Sequence, residues 1–137
     1  MDAYLDYLSQ KTWQNPAGSV HYVIGNESAD LDSILSELCC AYYLHTTNGG
    51  PNFHFVPVVN ILRHDMALRR EALALFKQCD LDIDSLVYVE DISLTESDGY
   101  KVTLVDHNCA VWPLEHVNKR VHVVSSSFIK IHVFYLK

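Results

Sequence analysis

At 137 residues, 49% of them hydrophobic and 20% charged, the chain is long enough to bury one core and short for a two-domain enzyme. Ten Lys+Arg against seventeen Asp+Glu leave a net charge of −7, which argues against a surface that coats nucleic acid, since that needs clustered basic charge. No run reaches the roughly 18 consecutive apolar residues of a membrane span. The start, Met1-Asp2-Ala3-Tyr4, lacks the basic and apolar regions of a signal peptide. The cysteines, Cys39-Cys40, Cys79 and Cys109, have neither zinc-ligand spacing nor the look of a disulfide framework. A cytoplasmic protein with reduced thiols is expected, with no nucleic-acid or membrane partner.

In chain order, Asp2 to about Gln14 reads as a short amphipathic helix with Asp2 as its N-cap, ended by Asn15-Pro16-Ala17-Gly18. Val20 to Ile24 reads as a buried strand that stops at Gly25-Asn26-Glu27-Ser28. Leu31, Ile34, Leu35, Leu38, Ala41 and Tyr42 then repeat at helical spacing until Asn48-Gly49-Gly50-Pro51. Phe53 to Val59 is the second strand, and Asp65 is expected to cap a helix running to about Lys77. Leu86 to Val89 and Val102 to Val105 are the third and fourth strand candidates. Strands alternating with helices predict an α/β fold, a parallel sheet with helices on both faces. Ligands of such sheets gather beyond the carboxyl ends of the strands.

Two polar clusters fall at that edge. In Gly25-Asn26-Glu27-Ser28-Ala29-Asp30-Leu31-Asp32-Ser33, Asp30 and Asp32 stand two apart at a strand-to-helix turn. Two carboxylates that close repel, and a hard divalent cation such as Mg²⁺ or Mn²⁺ resolves the conflict. Taken alone, the pair reads first as helix capping, with Asp30 or Asp32 as N-cap and Glu37 or Ser36 completing the turn. Asp106-His107-Asn108, directly after an apolar strand, offers a carboxylate ligand and an imidazole ligand or acid, or else a simple turn. Arg63, Arg69 and Arg70 lie within eight residues, and guanidinium forks suit phosphate oxygens. Pairing with Glu71 on a solvated helix explains any one of them as well.

In combination the blocks are more specific. Gly25 to Ser33, then Pro57-Val58-Val59-Asn60-Ile61 with Arg63, Asp65 and Leu68-Arg69, then Leu104-Val105-Asp106-His107-Asn108, resemble the DHH phosphoesterase superfamily. Within it the branch of cytosolic exopolyphosphatases and prune proteins is the most similar, and the family II pyrophosphatases are more distant. The resemblance covers about residues 18 to 110 and turns the reading of Asp30 and Asp32 from caps to ligands. It implies a Rossmann-like fold and a two-metal site holding Mn²⁺ or Mg²⁺. Asp30 and Asp32 would each bind a metal, Asp106 would bind between them and share the catalytic role with His107, and Asn26, Arg63 and Arg69 would contact substrate. The implied reaction is hydrolysis of a phosphoanhydride in short-chain polyphosphate or pyrophosphate.

The chain also departs from the family. After the strand-like Val121 to Val124, Ser125-Ser126-Ser127 stands where a third Asp-His-His or Asp-His-Arg motif should follow. The expected division is a partial DHH domain over 1–124 and an atypical apolar tail over 125–137, in which Ile129, Ile131, Val133 and Tyr135 alternate. Exposed, such a run is prone to edge pairing. The chain is therefore expected to be a truncated form, an incomplete N-terminal DHH domain. The alternative function is an inactive module that binds a protein partner, or itself, through a sheet edge.

Overall fold

The computed structural model describes residues 1–14, 18–92 and 100–106, together with the backbone of Ile131–Phe134. The helices are α1 (Asp2–Ser9), α2 (Leu31–Asn48) and α3 (Arg70–Gln78). The strands are β1 (Ser19–Ile24), β2 (Phe53–Val58), β3 (Lys101–Val105) and β4 (Ile131–Phe134). They form one sheet in the order β2-β1-β3-β4, in which β1 runs parallel to both β2 and β3. The architecture is α/β, as the alternating pattern predicts, and Rossmann-like, as the resemblance implies. Consecutive residues Val20 to Ile24 are all buried, so β1 is covered on both faces, as a central parallel strand must be.

The chain leaves β1 through α2 to β2 on one side, and later reaches β3 on the other side of β1. The order of connection reverses between β1 and β3, and this leaves a crevice at their carboxyl ends. From the tail, Ile131–Phe134 adds β4 antiparallel to β3, with Val105 opposite Ile131 and Val102 opposite Phe134.

Three elements differ from the sequence expectation. The first helix ends at Ser9 with Met1, not Asp2, at its N-cap; Lys11 takes φ 54°, and a 3₁₀ turn at Thr12–Gln14 follows. That turn buries Trp13, whose indole Nε1 donates to Leu8 O at 3.0 Å. Asp65 does not cap the third helix but lies inside a 3₁₀ segment, Arg63–Leu68. The break at Arg69, with ψ 64°, postpones α3 to Arg70. Leu86 to Val89 does not make a strand. Only one parallel bridge forms there, with Val59 N–H donating to Val87 O and Val89 N–H to Val59 O. The Asp91 carboxylate takes the Tyr88 N–H at 2.9 Å, the donor another strand would need, and the chain turns at Val89–Asp91.

His107 and Asn108, Cys109, the strand expected at Val121 to Val124 and the boundary at 124/125 lie outside the described residues. Among the described residues, no helix is long and apolar enough to cross a membrane.

Candidate metal centre

The loop after β1 is built by hydrogen bonds that begin in its own sequence. The Asn26 side-chain carbonyl accepts from Ala29 N at 3.0 Å and from the Ser28 hydroxyl at 2.6 Å, folding Asn26–Ala29 into a tight turn. Ala29 is thereby held at φ 43°, a left-handed conformation that costs a non-glycine residue about 1 kcal/mol. The Arg69 guanidinium secures the same residue from outside, its Nε donating to Ala29 O at 3.0 Å. The turn delivers Asp30 to the N-cap of α2, where its carboxylate accepts from Ser33 N at 3.3 Å. Ser33 in turn accepts from Asn26 N at 2.8 Å through its hydroxyl.

The third carboxylate comes from β3. Asp106 follows its last residue at φ 58°, a region aspartate tolerates better than most side chains. Across the crevice the Asn26 amide donates to the Asp106 carboxylate at 2.6 Å and to its main-chain oxygen at 3.3 Å. One carboxylate oxygen from each of Asp30, Asp32 and Asp106 lies within 4.8 Å of the others. Asp30 and Asp32 are exposed and Asp106 is half-buried. Among the described residues, no salt bridge neutralises Asp30 or Asp32.

Three convergent hard oxygen donors, open to solvent on one side, fit one divalent cation whose remaining positions are filled by water or phosphate. The two-metal arrangement implied by the resemblance asks for donors beyond these three. Capping and metal binding, set against each other as readings of Asp30, are compatible in one carboxylate, since a single oxygen serves the cap.

The arginines have separate surroundings. Arg69 supports the Asp30 loop and, with Arg70 and Asp30 itself, lines an open cleft of about 290 Å³ beside the carboxylates. Arg63 pairs with Asp91 at 2.6 Å and reaches Glu90 at 4.0 Å, with its guanidinium 4.3 Å from the centre of the Tyr88 ring. None of these partners belongs to the carboxylate group. His107 follows Asp106 directly in the chain, outside the described residues.

Two buried residues beneath the loop have roles the sequence did not show: Glu37, named as a residue that could complete the α2 cap, and Asn60, named only within a motif block, both bind Gly25 instead. Glu37 accepts from Gly25 N at 2.7 Å, and the Asn60 amide donates to Gly25 O at 3.2 Å. A Cβ on Gly25 would run into the Glu37 carboxylate and come within 2.7 Å of Ser33 Oγ, so a side chain here would have to displace one or both of them. The signal for Glu37 was its place on the apolar stripe of α2, three residues after Ile34 and four before Ala41.

No family model matches the chain. Curated relatives do. Over 92 residues, 65% of this chain, it is 33% identical to "Exopolyphosphatase PRUNE1" of Rattus norvegicus. It is 34% identical to the protein of that name from Homo sapiens over the same length. To a Schizosaccharomyces pombe protein named "Putative exopolyphosphatase" it is 37% identical over 94 residues, 67% of this chain. The chain spans 20% of the length of the mammalian relatives and 24% of the yeast one. On its ordered motifs and these relatives, the chain is related to the prune-branch exopolyphosphatases of the DHH superfamily.

Proposed function

We propose that the chain carries metal ligands and part of the phosphate site of a hydrolase acting on phosphoanhydride bonds, in short-chain polyphosphate or pyrophosphate. The observation that carries this reading is the convergence of Asp30, Asp32 and Asp106 from two strand ends at the reversal point of the sheet. Mn²⁺ or Mg²⁺ held there would neutralise phosphate oxygens and polarise the phosphorus–oxygen bond that breaks. The chain's own groups then have defined tasks. Asn26 orients the Asp106 carboxylate, and Asp30 is fixed by its cap. Arg69 braces the loop, while Arg70 offers cationic charge to phosphates lying in the adjoining cleft. His107, next to Asp106, is proposed to donate a proton to the leaving oxygen, and Arg63 is the more remote candidate for substrate contact.

The test is phosphate release from pyrophosphate and tripolyphosphate with Mn²⁺, with Mg²⁺ and with chelator. Cation-dependent release that is abolished in Asp106→Asn supports the hydrolase. Saturable cation binding with no release from either substrate would leave the inactive interaction module as the better account.

A further inference from the structure

We infer that Glu37 is held as a neutral acid whose Oε1 proton is shared with Asn60 Oδ1, and that this buried pair clamps Gly25 and so positions the metal loop. Glu37 and Asn60 are 1% and 5% exposed. Both are tied to one residue: Glu37 Oε2 takes the Gly25 N–H, and the Asn60 amide gives to the Gly25 carbonyl. The atoms left over, Glu37 Oε1 and Asn60 Oδ1, are both buried and both lack a hydrogen-bond partner. An ionised carboxylate and an amide carbonyl only accept, so as anion and amide the two would leave two buried acceptors unsatisfied.

Reversing the Asn60 amide does not help, because its carbonyl would then face the Gly25 carbonyl, acceptor against acceptor. One proton on Glu37 supplies the missing donor and removes a buried charge at the same time. Burial pushes the Glu37 carboxyl well above the usual carboxylate range, and the Gly25 N–H offsets this only in part. Among the described residues Tyr88 feels Glu37, and is itself buried and pushed up to about 12, chiefly by that burial.

The clamp reaches the site through a single bond of the chain. Gly25 is followed by Asn26, whose amide bridges to Asp106. Glu37 thus acts through the loop, as a positioning residue, and its effect on cation binding rests on the proposed metal centre.

The test compares the wild-type chain with Glu37→Gln and Glu37→Leu. At neutral pH, infrared difference spectra should show the carbonyl stretch of a protonated carboxylic acid in the wild type and not in Glu37→Gln. Absence of that band in the wild type overturns the inference. Glutamine carries an N–H where the acid carries its O–H, so Glu37→Gln should keep Mn²⁺ affinity within about threefold. Glu37→Leu, which lacks both groups, should lower it about tenfold. If glutamine weakened binding as much as leucine, the shared proton would be refuted. The infrared arm needs no cation. A wild type that showed the band but bound no Mn²⁺ would therefore sink the metal reading and the positioning role, while upholding the neutral acid.

Discussion

The Asn26 side chain joins two strand ends: its amide donates to the Asp106 carboxylate at 2.6 Å, while its carbonyl accepts from Ala29 N at 3.0 Å. One amide therefore fixes both the direction of the β3 carboxylate and the turn that carries Asp30 and Asp32. Replacing Asn26 with alanine should keep the three acids but loosen both the turn that carries Asp30 and Asp32 and the direction of Asp106. Outer-shell partners of this kind are worth about 10- to 100-fold in metal affinity. Calorimetric titration with Mn²⁺ should show at least a tenfold loss in Asn26→Ala, and unchanged affinity would remove Asn26 from the site.

Asp30 caps the helix and is proposed to hold the cation as well, and two substitutions separate the roles. Asparagine caps helices about as well as aspartate, whereas alanine does not. Asp30→Asn should melt close to the wild type without added metal, and Asp30→Ala should lose about 1 kcal/mol. Both should lose most of the stabilisation that Mn²⁺ gives the wild type, read as the rise in melting temperature on adding the ion.

Stability should fall on both sides of an optimum. His21 is buried against Thr103, at 2.7 Å from its hydroxyl, and burial, aided by Lys101, lowers its pKa from 6.5 to about 4. A depressed base contributes stability above its unfolded value and loses it as pH falls from 6.5 toward about 4, up to about 3 kcal/mol. Glu37 has the opposite sign. Its raised carboxyl contributes stability below the ordinary value, lost progressively as pH rises through the folded one. Urea unfolding across pH should show His21→Gln flattening the acid limb and Glu37→Gln the alkaline one.

Arg63 is bound by Asp91 and stacked on Tyr88. Being about a third exposed, the ion pair is partly screened. Arg63→Ala is expected to cost about 1 kcal/mol of stability and to leave Mn²⁺ affinity unchanged, as chemical unfolding and calorimetry would check. A selective loss of tripolyphosphate binding in this variant would instead give Arg63 a direct part in the substrate site.

How legible these features were depended on the range of the interaction that sets them. β1, α2, β2 and β3 were readable because apolar periodicity is local, and Asp30 and Asp32 because the loop motif is nearly continuous. Their meeting with Asp106 follows from sheet order, which brings β3 beside β1 across a long stretch of chain. The third helix began late because Arg69 leaves helical geometry, with its side chain on Ala29, a long-range contact that no capping rule includes. Leu86 to Val89 has a strand's composition, but Asp91 captures the Tyr88 N–H. Glu37 read as completing a cap and Asn60 as part of a motif, because their shared partner, Gly25, lies 12 and 35 residues away in sequence.

The most direct test of the metal centre is a calorimetric titration of the chain with Mn²⁺, repeated on Asp32→Asn and Asp106→Asn. Saturable binding in the wild type, lost in both folded variants, is the predicted result. Wild-type protein that is folded and binds no Mn²⁺, or variants that bind it as well as the wild type, would contradict the assignment of Asp30, Asp32 and Asp106 as a cation site.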